Sequence, residues 1–142
     1  MSEAIEYHEY FGELLRDIEL GGWTGELLFP PTMEHVQIFI PGEAGDPIVP
    51  LESVRFFDEL ISLYPEISKE IQVRLYDLRE EFDDMNSMDD VWSIFQLECV
   101  DLDDVRLEDS KSWRLAYGTD YGGYIYGFNM RGKTVKDISQ DG

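Results

Sequence analysis

Cysteine is nearly absent from this chain, and the one present, Cys99, has no second thiol to pair with. An intramolecular disulfide framework and a cysteine-based zinc cluster are both excluded. Histidine is equally scarce, with His8 and His35 the whole complement. The run His8-Glu9-Tyr10-Phe11-Gly12 lacks the second histidine of a zinc-protease helix. Basic residues number 11 against 31 Asp and Glu, giving a formal net charge of −20. A field of that sign repels nucleic-acid phosphates and anionic membrane surfaces and attracts basic partners. No apolar stretch approaches the roughly 20 residues that span a bilayer. The opening Met1-Ser2-Glu3-Ala4-Ile5-Glu6 has no basic region followed by an apolar run. From these absences a cytoplasmic location is expected, with neither nucleic acid nor membrane as a partner.

What is present argues for a folded protein. Hydrophobic residues make up 43% and aromatics 13% of 142 residues, too rich for a solvated acidic tail and enough for one core. The aromatics run the length of the chain, so residues 1–142 read as a single domain without repeats or low-complexity tracts.

The hydrophobic period changes three times along the chain. Tyr7, Phe11, Leu14 and Ile18 recur at four- and three-residue spacing, which predicts a short helix within an extension over residues 1–20. Trp23, Leu27 and Phe29 share one face of a strand that Pro30-Pro31 stops, and Val36, Ile38 and Ile40 begin a second, so a hairpin is expected. Gly42 to Pro50 is dense in Gly, Asp and Pro and reads as a loop. Val54, Phe57, Ile61 and Tyr64 then mark a helix that Pro65 should break. Pro65 would open a second helix along Ile67, Ile71, Leu75, Leu78 and Phe82. Ser87 or Asp89 can cap a short third helix carrying Val91, Trp92 and Phe95. Alternation returns in Leu97 to Leu107, with a bulge at Asp103-Asp104. It continues in Trp113 to Tyr117, in Tyr124 to Met130 and, after Gly132, in Thr134 to Ile138, leaving 138–142 as a tail. The order predicts an α+β fold: an N-terminal hairpin and a C-terminal meander in one antiparallel sheet, with two to three helices on one face.

Few residues carry chemistry. The densest acidic run holds Asp101, Asp103, Asp104, Glu108 and Asp109. It suits a wet strand face or a docking strip for Lys and Arg, and less well a divalent-cation site. The segment Asp83 to Asp90 lacks the sixth-position Gly and twelfth-position Glu of a calcium loop. Gly118 to Gly123 has no Lys-Ser/Thr behind it and reads as a hairpin loop, not a phosphate cradle. Tyr117 and Tyr126 suit the core, whereas Tyr121 and Tyr124 suit solvent or a partner. Cys99 is expected in a buried strand, acting as a small apolar side chain. No catalytic residue, cofactor or metal ligand is assigned.

The spaced aromatics and glycines also form a pattern. Trp23-x-Gly25, a hairpin, a central helical pair, Trp113-x-Leu115-x-Tyr117, an aromatic strand and Gly132-Lys133-x-Val135 resemble small acidic bacterial domains of uncharacterised families, several of which are grouped with immunity proteins of polymorphic toxin systems. The resemblance runs from Trp23 to Asp141 and offers no catalytic motif, so no functional residue is carried over. It implies neutralisation of a toxin by tight binding, which agrees with the attraction of a −20 chain for a basic protein. The expected function is therefore an acidic protein-binding module with a basic partner. The alternatives are a cytoplasmic domain whose acidity serves solubility alone and a metal-assisted hydrolase built on Asp101, Asp103 and Asp104.

Overall fold

The computed structural model describes residues 3–19, 21–42, 48–102, 112–119 and 124–141. Eight strands form one sheet in sequence order: β1 (Glu3–His8), β2 (Gly12–Asp17), β3 (Trp23–Phe29), β4 (Glu34–Ile40), β5 (Phe95–Asp101), β6 (Ser112–Thr119), β7 (Ile125–Arg131) and β8 (Thr134–Asp141). Every neighbouring pair is antiparallel except β4 and β5, which run parallel. A parallel pair cannot be joined by a tight turn. The crossover is helix α1 (Leu51–Tyr76), followed by two 3-10 turns and the single-turn helix α2 (Val91–Ile94). The fold is thus α+β, as expected, with a larger sheet and fewer full helices than the sequence suggested. Among the described residues, no helix is long and apolar enough to cross a membrane.

Residues 3–17 are not a helical extension. They are a hairpin paired into the sheet, with Leu14 opposite Gly25 and Arg16 opposite Trp23. The local reason lies at the turn. His8 Nδ1 accepts the backbone N–H groups of Tyr10 and Phe11 at 3.0 and 3.1 Å, and Gly12 takes φ +80, where a side chain would be strained. Leu14 is buried while Tyr7 is 83% exposed, so the helical spacing of the two does not describe one face. The expected tail is strand as well, since β8 runs to Asp141.

Pro65 does not break the central helix. α1 continues through it for 26 residues, about 39 Å at 1.5 Å per residue. Ser53, Phe57, Leu60, Tyr64, Ile67, Ile71 and Leu75 are buried at spacings that keep one stripe on the sheet on both sides of the proline. Full burial of each large apolar side chain contributes about 1.5–3 kcal/mol, more in sum than the about 3 kcal/mol an interior proline costs. The helix crosses the sheet obliquely. Phe57 meets Phe11 and Phe29 with ring centroids 5.6 and 5.8 Å apart, and Tyr64 reaches Tyr117 on β6. Farther along, a Glu70 carboxylate oxygen accepts the Val135 N–H of β8 at 3.4 Å. The stripe stops there: Leu78 and Phe82 flank the 3-10 turn Arg79–Glu81, and Phe82 packs on Phe95 at 5.2 Å.

Ser87 caps the turn before α2. Asp90 accepts the backbone N–H of Asn86 and Ser87 at 2.8 and 2.9 Å, which holds its carboxyl below the usual range. This carboxylate closes a turn instead of facing a cation.

Replacing Pro65 by Ala restores a helix donor and removes a ring clash with the preceding turn. The variant is expected to gain about 1–3 kcal/mol in urea unfolding, less the about 0.4–1 kcal/mol by which proline restricts the unfolded chain. An unchanged or lowered midpoint contradicts a continuous helix.

Candidate functional site

Alternation along each strand sends one set of side chains under α1 and the other to the opposite face. The helix face holds Leu14, Trp23, Phe29, Ile38, Val100, Leu115, Tyr117 and Phe128, all buried. Among the described residues, neither a helix nor a second sheet covers the other face. Register lays one row of side chains across that open face from edge to edge. Ile5 stands opposite Leu15, Leu15 opposite Thr24, Thr24 opposite Phe39 and Phe39 opposite Asp101. Asp101 then stands opposite Arg114, Arg114 opposite Asn129, and Asn129 opposite Asp137. The row is largely apolar over β1 to β4 and polar over β5 to β8.

Two glycines shape the polar half. The Glu98 carboxylate lies over Gly118, where an added Cβ would meet its Oε1 at 2.3 Å. The Arg114 guanidinium lies over Gly127, where a Cβ would meet a terminal nitrogen at 2.0 Å, and donates to Ser139 Oγ at 3.2 Å. Both long side chains therefore lie flat on the sheet, because the residue beneath each has none. The Asn129 side-chain N–H donates to Asp137.

Over β1 to β5 the face sinks into a depression of about 820 Å³, bordered by Ile5 and Leu15 on one side and by Gln37, Gln96 and His35 on the other. Glu13, Glu26 and Glu98 supply its charge, and no Lys or Arg lines it. A second hollow of about 340 Å³ adjoins it through Leu15 and Thr24, bringing in Asp17, Phe39 and Asp101. Arg16, the one cation on β1 to β5, points to the helix side, 5.0 Å from the Trp23 ring and 3.8 Å from Glu6. The arrangement is an aliphatic floor with a carboxylate rim.

Of the expected partner-binding residues, Asp101 belongs to this face, half-buried opposite Phe39 and Arg114. Tyr124 is 46% exposed, immediately before β7. Asp103, Asp104, Glu108, Asp109 and Tyr121 lie outside the described residues, as does the bulge expected at Asp103-Asp104. A register shift does occur earlier, between Leu97 and Cys99. It buries Val100 and turns Cys99 to the open face, half-exposed, not into the core as its strand suggested. Tyr117 and Tyr126 are core residues, as their alternation indicated. Sequence reasoning missed Glu13, Glu26 and Glu98, whose only signal is an off-core place in three separate strands.

Among the described residues, no three His, Cys, Asp or Glu side chains converge as a metal cage requires. Burial pushes the Cys99 thiol up to about 11, Asp101 and Glu98 add to the rise, and Arg114 opposes it. The thiolate is the nucleophile, so Cys99 is chemically quiet at neutral pH. Its alkylation by iodoacetamide at pH 8 is expected on the order of 100-fold slower than that of a free thiol, and the rate should keep climbing past pH 9. A plateau below pH 9 contradicts this environment.

Comparison with protein-family models, curated proteins and solved structures found no match to this chain.

Proposed function

We propose that the chain is a protein-binding module of the immunity type, and that the open sheet face over β1 to β5 receives a basic partner protein. The observation that carries the reading is the charge of that face. Carboxylates stand all around a chain of net charge −20, so acidity alone selects no surface. Their company does. On the helix side Glu52, Glu59, Glu66 and Glu70 are interspersed with Arg55, Lys69 and Arg74. Over β1 to β5 the open face has Glu13, Asp17, Glu26, Glu98 and Asp101 and no Lys or Arg.

The exposed aliphatic groups support the same face. Ile5 is 71% exposed, and Leu15 and Leu28 are also exposed. Apolar area that excludes water at the centre, ringed by charge, is the anatomy of a specific interface. The carboxylates steer a cationic partner and fix its register, and the aliphatic floor contributes hydrophobic burial. Toxin neutralisation, which the family resemblance implies, would follow if the captured surface is the one a basic toxin uses on its target.

The reading is tested by immobilising the protein in extract of its host at low salt and releasing bound protein with a salt step. One basic protein should be retained by wild type and by the helix-face variant E52K/E59K/E66K. The variant E13K/E26K/E98K should lose it by on the order of 100-fold in affinity, about 2.7 kcal/mol. Equal loss in both variants would reduce the interaction to net charge. Retention by the open-face variant would remove this face from it.

A further inference from the structure

A second site stands on different residues and does not rest on the reading of the open face. Tyr64 of α1 and Tyr117 of β6 meet hydroxyl to hydroxyl at 2.5 Å, 5% and 0% exposed respectively. Burial pushes Tyr64 up to about 12 and raises Tyr117 well above the usual phenol range, so both keep their protons at neutral pH. Two hydroxyls carry two hydrogens, and the bond between them uses one. Either hydroxyl can be the donor, and where Tyr117 donates, the Tyr64 hydrogen is left over. Among the described residues nothing accepts that hydrogen: Glu34 is near enough to raise the phenol but makes no hydrogen bond with it. The second hydrogen of the pair is therefore available to a group held in the space beside it.

The space for it is present. Both tyrosines line a cavity of about 450 Å³, together with Pro65, Phe95 and Leu97. Trp92 of α2 stands at its mouth, 40% exposed, with its ring 5.8 Å from that of Tyr117 and tilted by 35°. α2 is a single turn, and of its residues Val91 and Ile94 are buried, which leaves Trp92 as a large aromatic surface facing the cavity. Glu34 and Lys69 supply one charge of each sign.

We propose that this cavity binds a small neutral aromatic molecule bearing an acceptor oxygen, an aryl amide or aryl ketone, whose oxygen takes the spare Tyr64 hydrogen while its ring packs against Trp92. The size admits one or two rings. A cation would leave the phenol hydrogen without an acceptor. An anion would enter against a net charge of −20 with only Lys69 to offset it. Base-like acceptors on an aromatic ring match both the wall and the donor.

Acetanilide is the probe, with ethylbenzene as its counterpart lacking an acceptor and benzoate as its charged one. Trp23 and Trp113 are buried at 2% exposure, so a change in tryptophan emission reports Trp92, and W92F provides the blank. Acetanilide should alter the emission saturably, at least tenfold tighter than ethylbenzene or benzoate. The double variant Y64F/Y117F removes both hydroxyls and keeps both rings, a change close to neutral for folding. It should weaken acetanilide by about tenfold and leave ethylbenzene unchanged. If that variant does not fold, Y64F alone, with its circular dichroism matched to wild type, should still show weaker acetanilide binding. No saturable response in wild type, equal binding of ethylbenzene, or undiminished acetanilide binding by the folded Phe variant would each overturn the proposal and leave an ordered water as the partner.

Discussion

The structure depends on the packing of one helix across one side of one sheet. Phe57 and Tyr64 of α1 insert against Phe29, with ring centroids 5.8 and 5.1 Å apart, and Tyr117 continues the contact to Phe128 at 5.6 Å. These edge-on contacts, bridged by the Tyr64–Tyr117 hydroxyl bond, join β3, α1, β6 and β7, and each ring contact adds about 0.5–1.5 kcal/mol beyond its buried area. The parallel β4–β5 pair exists because α1 carries the chain across between them. Remove the aromatic contact and the two meanders, β1 to β4 and β5 to β8, lose the layer that joins them.

A sheet of eight strands covered by one helix must leave its other face to something else. In antiparallel sheets that something is commonly water, and the strands then alternate apolar and polar. Here the alternation is less regular over β1 to β4 than over β5 to β8, where Ile125 is an exposed aliphatic exception. Over β1 to β4 the outward positions include Ile5, Leu15, Leu28 and Phe39, residues that water does not favour. Over β5 to β8 the outward positions include Asp101, Arg114, Asn129 and Asp137, of which Arg114 bonds to Ser139 and Asn129 to Asp137. The contrast within one face favours the half over β1 to β5 as the proposed interface. Glu98, lying flat over Gly118, stands at the boundary.

Much of the fold was legible because several strands alternate cleanly. Trp23 to Phe29, Val36 to Ile40, Trp113 to Tyr117 and Tyr126 to Met130 each place apolar residues two apart, and each is a strand with that face buried. The first 20 residues were not legible. Their spacing fits a helix, and the features that decide against it are a histidine ring accepting two turn N–H groups and a pairing with β3. Pro65 misled for the converse reason, since its local cost is outweighed by a buried stripe that only the sheet supplies. The site was legible in sign but not in place. The dense run at 101–109 draws the eye, whereas Glu13, Glu26 and Glu98 are single carboxylates 13 or more residues apart in sequence. Strand register, not sequence proximity, assembles them.

The claim that half of one face is built to be covered is tested most directly by mapping where a defined cation lands. Backbone amide resonances of the isotope-labelled protein would be followed during titration with a short oligolysine peptide at low salt. The account predicts shifts gathered on Glu13, Thr24, Glu26, Gln37 and Glu98, with the outward residues of α1 little changed. Shifts spread evenly over α1 and the sheet would contradict it, and would return the acidity of this chain to a matter of solubility.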